Sequence, residues 1–205
     1  MRKRVEGVQE RILECAAEEF LDQGYTEASV RTIAEKAGTS TNSIYVRFRD
    51  KEGLFSAIVE PVVEEFMAQF QEIQETFHSF EKERQKEEMG RYSSNEMLKL
   101  IDYIYNHFKQ FRLLLDASYG TKFQNFVDSL VSVEEEYTDK WMEMTGFHPE
   151  EEGAMTKELF HIVMTSYFEG IFEVIRHNIS REDAKKYVSM LGKYHHAGFL
   201  AITKE

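Results

Sequence analysis

Residues 39–47 read Thr-Ser-Thr-Asn-Ser-Ile-Tyr-Val-Arg, a run of short hydroxyl and amide side chains interrupted by single bulky ones. Side chains this short let a helix backbone come close to a polar partner while still offering donors and acceptors. Asn42 carries the paired donor and acceptor that match an adenine edge, Ser40, Thr41 and Ser43 can bond either base type, and Val46 can meet a thymine methyl. Ile44 and Phe48, four residues apart, are the inward anchors of the run. Elsewhere the chemistry is thin. Glu158 and His161 have the E-x-x-H spacing that puts a carboxylate and an imidazole on one helix face, a weak signal for a metal on its own. His195 and His196 are adjacent and point about 100° apart on a helix, so they do not easily chelate together. No nucleophilic triad, phosphate-binding glycine loop or convincing carboxylate pair is present, so neither catalytic residues, a metal nor a cofactor is expected, and the chain does not read as an enzyme.

The elements that must position this run follow from apolar spacing. Val8, Ile12, Cys15, Ala16 and Phe20 share a helical face, and Gly24 is placed to end it. Ser29 can cap a second helix whose Val30, Ile33, Ala34 and Ala37 follow the i, i+3, i+4, i+7 pattern, and Gly38 stops it. Thr39 and Ser40 offer caps to a third helix, Thr41 to Phe48. Asp50 caps a fourth, expected from Lys51 to about Phe77, with a kink or break near Glu60 because Pro61 removes a hydrogen bond and crowds the preceding turn. A short helix, a tight glycine turn and a second short helix at 29–48 make a helix-turn-helix, the unit that presents its second helix to a DNA major groove.

Two prolines and eleven glycines in 205 residues are too few for the turns of an all-β chain, and apolar residues recur at three and four, so the class is all-α. A net charge of −12 opposes DNA binding only until it is resolved by position. Residues 1–55 hold nine basic and ten acidic side chains, leaving −11 on 56–205; within 28–51, Arg31, Lys36, Arg47, Arg49 and Lys51 face only Glu35 and Asp50. A locally basic surface on an acidic body still supplies phosphate contacts. The single Cys15 excludes an intrachain disulfide and reads as a small apolar helix residue. Charges interrupt every apolar stretch before the ~20 residues a membrane span needs, and no apolar signal core follows Arg2, Lys3 and Arg4, so a cytoplasmic protein without membrane partners is expected. Those three residues read either as a tail or as an arm reaching DNA.

Beyond residue 55 the reading is coarser. Residues 78–94 read as a solvated helix end and loop. Ser93 with Glu96 makes a capping box for a helix whose Met97, Ile101, Ile104, Phe108, Phe111 and Leu115 form one stripe. A further helix is expected over Lys122–Thr145, and Pro149 followed by Glu150, Glu151 and Glu152 signals a new start running to about Asn178. That helix is apolar nearly all round, which requires cover on two sides. The last helix, opened by Ser180 and Asp183, carries a stripe from Ala184 to Ile202. Gly170, Gly192 and Gly198 suit places where another helix comes close. The two C-terminal helices are therefore the expected homodimer interface, in an antiparallel bundle with their copies.

The stretch AEKAGTSTNSIYVRFRDKEGLF at 34–55, preceded by FLDQGYTEASVRTI, resembles the DNA-binding domain of the TetR/AcrR family of regulators. The shared elements are F-x-x-x-G-Y/F, A-x-x-A-G-x-S, I/L-Y-x-x-F and K-E-x-L, in order and close together, over roughly the first quarter of the chain. The resemblance implies a homodimeric, all-helical repressor, with a three-helix helix-turn-helix domain at 1–55 and a helical effector-binding and dimerisation domain at 56–205. It implies double-stranded DNA with a pseudo-palindromic operator as partner, and DNA contacts at Thr39, Ser40, Thr41, Asn42, Ser43, Tyr45, Val46, Arg47 and Lys51. Tyr45, Arg47 and Lys51 would touch phosphate; Thr41, Asn42, Ser43 and Val46 would read bases. Tyr45 suits core packing equally well. The family often has glycine in place of Asn42 and histidine or tyrosine in place of Arg47, so no base preference transfers. A small-molecule effector of unknown identity would release the operator; a docked protein partner is the alternative. Tyr103, His107, Phe108, Phe111, Phe123, Phe126, Tyr167, Phe168 and Glu169 are the candidates for its pocket, although aromatics at helical spacing are ordinarily core. Glu169 and Glu173 suit a cationic ligand or, equally, pairing with Arg176.

Overall fold

A computed structural model describes residues 2–146 and 156–203 of the protein, with side chains over 7–146 and 156–202. Among the described residues the chain is helical without strands: α1 (Arg2–Glu27), α2 (Val30–Ala37), α3 (Thr41–Phe48), α4 (Lys51–His78), α5 (Lys82–Asn106), α6 (Phe108–Asp116), α7 (Phe126–Thr145), α8 (Lys157–Arg176) and α9 (Arg181–Thr203). The helix start expected at Pro149 with Glu150, Glu151 and Glu152 lies outside the described residues, as do the side chains of Arg2, Lys3 and Arg4.

The early elements form where their caps and apolar periods place them. Gly24 breaks the helical run of α1 with φ 73° and ψ 160°, so the last turn leaves in a new direction. The Ser29 hydroxyl accepts from the Thr32 N–H at 3.3 Å and opens α2; Gly38, left-handed at φ 64°, closes it. Ser40 accepts from the Ser43 N–H at 3.1 Å, and the Asp50 carboxylate accepts from the Gly53 N–H at 2.7 Å, capping α3 and α4 in turn.

Several expectations change further on. No break occurs near Glu60, for α4 runs through Pro61 to His78. Proline leaves the Ala57 carbonyl without its helical donor, but both residues are exposed, so water can serve that carbonyl. Residues 82–94 are helical rather than looped, and α5 starts at Lys82, so Ser93 and Glu96 lie within the helix and not at a cap. The reason is Gln85, fully buried, whose amide donates to the His78 carbonyl at 3.2 Å and the Phe80 carbonyl at 2.8 Å. Tyr92 adds a ring stacked on Phe77 at 5.7 Å between centroids, giving the charged segment a buried face that polarity alone concealed. The stripe from Met97 to Leu115 is not one helix either: His107 (φ −122°, ψ 34°) separates α5 from α6.

Two compact units result, and they do not follow chain order. The first comprises the chain up to Glu65 together with His107–Gln124, so it takes in α6, where a boundary at residue 55 with one continuous second domain was expected. Its core joins Ile12, Phe20, Ile33, Ile44, Leu54 and Phe55 to Phe111 and Leu113, all essentially inaccessible. The Tyr25 N–H donates to the Ala117 carbonyl at 3.0 Å, Phe55 lies 6.1 Å from the Phe123 ring, and Lys122 pairs with Glu60. The second unit comprises Phe66–Asn106 and the chain from Asn125 onward. In it α5 packs along α9, α7 on α8, and α8 on α9. Asp102 of α5 pairs with Arg181 at 2.7 Å and Lys185 at 2.5 Å of α9, and these hydrogen bonds, Lys185 first, hold its carboxyl below the usual range.

Candidate nucleic-acid interface and cavity

α2 and α3, eight residues each, make the helix-turn-helix, and the first unit's core leaves one side of α3 bare. Ile44 and Phe48 are its only buried residues. Val46 is 75% exposed and Tyr45 46%; Ser40, Asn42 and Arg47 are exposed, while Thr39, Thr41, Ser43 and Lys51 are half-buried. Val46 and Asn42, four residues apart, share this exposed face. Tyr45, left open between core and surface, is on the surface.

Charge stands at the end of α3 and beside it. The Arg47 guanidinium folds back onto its own helix, donating to the Ser43 carbonyl at 2.9 Å and hydroxyl at 2.5 Å. The Lys51 ammonium donates to the carbonyls of Thr26 at 2.9 Å and Ala28 at 3.2 Å and stands over the Tyr25 ring. Arg49 ends α3 at φ 71°, a strained conformation for a residue with a Cβ.

Two positioning residues carry no chemistry and were missed from sequence. A Cβ on Gly53 would stand 2.0 Å from the Phe48 carbonyl oxygen, so the α3–α4 turn closes only around glycine. Glu19, buried on α1, accepts from the Ser29 N–H at 3.3 Å and the Lys36 ammonium at 3.0 Å, fixing both ends of α2. The K-E-x-L motif contained the first; the i, i+10 and i, i+17 separations hid the second.

The second unit holds a partly open cavity of about 160 Å³ walled mainly by rings of α4, α5, α7, α8 and α9, among them Phe70, Phe77, Tyr137, Trp141, Tyr167 and Phe168. Glu134 of α7 lines it and accepts a hydrogen bond from the Gln74 amide at 2.6 Å. Burial raises the Glu134 carboxyl to about 7 and, with Glu134 nearby, the Tyr167 phenol to about 12. Burial also lowers the imidazoles of His78 and His195, both on the cavity wall. Of the residues considered for a pocket from sequence, only Tyr167 and Phe168 line this cavity. Phe111 and Phe123 are core of the first unit, to which His107 and Phe108 also belong. Phe126 packs between Phe66 and Phe172, Tyr103 rests on Phe66, and Glu169 pairs with Arg176 at 2.6 Å.

The glycines singled out on α8 and α9 answer differently. Gly170 lies against Leu191 and Gly192 near the Tyr167 hydroxyl, close approaches within the chain itself, and Gly198 meets nothing within 4 Å. The outer faces of these helices expose Leu159, Ile162, Tyr187, Met190 and Tyr194. His161 sits 3.0 Å from Glu135 rather than with Glu158, and the E-x-x-H spacing recurs at Glu75 and His78. Among the described residues no group of three or more His, Cys, Asp and Glu is placed to hold a metal, and no helix is long and apolar enough to cross a membrane.

The profile of the bacterial regulatory proteins, tetR family, matches residues 12–58. An HTH-type transcriptional regulator of Bacillus subtilis (strain 168), YvdT, is 38% identical over 60 residues, 29% of this chain and 31% of that protein. An HTH-type transcriptional regulator of Staphylococcus aureus (strain bovine RF122 / ET3-1) is 30% identical over 79 residues, 38% of this chain and 43% of that one. The matches thus span less than half the length of these curated relatives. The fold is shared more widely. NalD of Pseudomonas aeruginosa, the secondary repressor of the MexAB-OprM multidrug efflux pump, superposes with a TM-score of 0.53 at 19% identity, over 92% of this chain and 96% of that one. The TetR-family regulator PfmR of Thermus thermophilus gives 0.53 at 18% identity, over 89% and 97%. The helix-turn-helix thus lies inside the residues that match the tetR family of bacterial regulatory proteins, and along nearly the whole chain the fold is similar to that of a solved TetR-family regulator.

Proposed function

We propose that the protein is a sequence-specific DNA-binding transcriptional regulator, a homodimeric repressor that a small apolar or amphipathic ligand releases from its operator. The observation that carries this reading is the bare face of α3, where Asn42 and Val46 stand exposed over two buried anchors. In this reading Thr41, Asn42, Ser43 and Val46 read base edges in the major groove, and Thr39, Ser40, Tyr45, Arg47 and Lys51 hold the flanking backbone. The exposed apolar residues on α8 and α9 support a dimer through these two helices, since a lone chain gains nothing by presenting them to water. Such a dimer sets its two α3 helices about one DNA turn, ~34–36 Å, apart on a pseudo-palindrome. A ligand bound in the second unit need only prefer one of two spacings to release DNA. A ring-lined cavity of this size favours a small molecule over a docked protein as effector.

The test is selection of duplexes from random sequence, followed by anisotropy on the winner across a salt series. A two-fold symmetric consensus bound far more tightly than bulk DNA is expected; a protein indifferent to DNA at low salt ends the proposal. Sedimentation of Met190→Asp and Tyr194→Asp checks the dimer, and both variants should sediment as monomers.

A further inference from the structure

The cavity in the second unit holds a contradiction. Its walls are aromatic, yet an acid is set among them: Glu134 accepts from the Gln74 amide, and no basic side chain among the described residues pairs with it. A carboxyl in such surroundings costs stability relative to a leucine or phenylalanine of similar volume. It is what a site needs, however, if its occupant brings the missing positive charge. Rings do the rest, because their π faces attract an organic cation too weakly hydrated to be held by water. Tyr167 and Phe168 lie with centroids 5.6 Å apart, and Phe70 meets Phe168 edge-on at 5.8 Å, so adjoining walls present both faces and edges.

We propose that this cavity binds a small organic cation bearing one aromatic ring, an arylalkyl-ammonium, with the Glu134 carboxylate as its counter-charge and the ring walls as its cage. The proposal rests on the second unit being the effector-binding part and names the chemical class of that effector. Size is compatible: the volume of about 160 Å³ is close to the ~150 Å³ that takes a single benzene ring, and the cavity is partly open, which leaves room for the ammonium group beyond the ring. The groove beside it sets Lys86, Arg91 and Lys193 against Glu87 alone, a lining that does not favour a cation. The groups facing Glu134 across the cavity are Tyr92 on α5, Tyr137 on α7, Tyr167 on α8, His78 on α4, and His195 with His196 on α9. Burial lowers the imidazoles of His78 and His195, which disfavours positive charge on the wall facing Glu134.

Because Glu134 titrates near neutrality, cation binding fixes its charged form and expels a proton. Benzyltrimethylammonium is the probe, since its own charge does not titrate; neopentylbenzene is its neutral isostere and benzoate its anionic counterpart. Calorimetry on the full chain should show benzyltrimethylammonium binding about tenfold more tightly at pH 8 than at pH 6. Heats measured in buffers of differing ionisation enthalpy should report proton release near pH 7. Glu134→Gln should bind the cation at least tenfold less tightly at pH 8, lose the pH dependence and leave the neutral isostere unaffected. Equal binding of cation and isostere, or preference for benzoate, overturns the proposal while leaving a small-molecule site in place. No binding of any probe, with operator binding intact, overturns it without touching the DNA-binding reading. Should Glu134→Gln not fold, the wild-type pH profile set against that of the isostere decides alone.

Discussion

The two units place their uncommitted chemistry in opposite ways. In the first, the core is wholly apolar apart from Glu19 and Ser56 on one side and Ser118 and Thr121 on the other, and the exceptional residues are exposed: a valine, an asparagine and a tyrosine on one short helix. In the second, apolar side chains stand on the outer faces of α8 and α9, and the exceptional residue is a carboxyl inside an aromatic cavity. An exposed valine and an acid set among rings both run against ordinary partitioning, the kind of local exception that marks a working surface. The lesson lies in how the violations are held. α3 is fixed by capping side chains a few residues away, whereas Glu134 is fixed by a partner sixty residues back in sequence.

The comparison breaks most severely at Gly53. An alanine there would put its Cβ 2.0 Å from the Phe48 carbonyl oxygen, which backbone cannot yield without moving α3 against α4. Gly53→Ala should cost about 3 kcal/mol in chemical denaturation and abolish operator binding. The helices of the second unit should meanwhile keep their ordinary amide-exchange protection. Loss of protection throughout both units would show that they unfold as one.

The mirror-image experiment removes the acid among the rings. The folded-state carboxyl of Glu134 is raised to about 7, so the fold favours its neutral form. The stability this confers is complete below the unfolded value near 4.5 and is lost as pH rises through about 7. Glu134→Gln should flatten that part of the stability profile, making the variant the more stable protein at pH 8 by up to about 3 kcal/mol. Parallel urea midpoints for wild type and variant from pH 5 to 8 read this directly; a constant difference across the range would mean that Glu134 stays charged in the fold.

A smaller effect sharpens the α3 side. Asn42 is exposed and holds no structural bond of its own in the first unit, so Asn42→Ala should leave stability unchanged within about 0.5 kcal/mol. It should relax discrimination at one base pair of each half-site by about 1–3 kcal/mol, measured by competition among single-base operator variants. A uniform loss over all variants would reassign Asn42 to the DNA backbone.

The same contrast explains what sequence could disclose. α2 and α3 were legible to the residue because Ser29, Gly38 and Ser40 act on neighbours three or four positions away, and their chemistry states its geometry. α5 was misjudged because the element that orders residues 82–94 is a glutamine, buried by tertiary packing that no period of apolar residues announces. The break at His107 was equally silent, since the stripe from Met97 to Leu115 continues across it while the chain passes from one compact unit to the other. The cavity was the least legible of all. Its wall draws on five helices, and its acid looks in sequence like any other member of the Glu134-Glu135-Glu136 run, where solvation is the ordinary fate of a glutamate. Aromatic content pointed to the right half of the chain but largely to core residues within it.

The smallest expected effect tests whether residues near α3 divide cleanly between structure and recognition. Lys51 was assigned to phosphate by resemblance, yet its ammonium is engaged with the carbonyls of Thr26 and Ala28. These carbonyls end α1 and precede α2, so the charge serves the first unit before any DNA arrives. An ammonium has three donors, and two carbonyls leave one to point outward. Lys51→Ala should therefore do two separable things: lower stability by about 1 kcal/mol, and reduce the slope of log affinity against log salt by about 1, uniformly across operator sequences. Lys51→Arg should restore the salt slope but not the stability, because a planar guanidinium cannot reproduce the ammonium's approach to both carbonyls. If the stability falls and the salt slope does not, Lys51 is a positioning residue, and the phosphate contact passes to Arg47, whose guanidinium would have to leave Ser43 to make it.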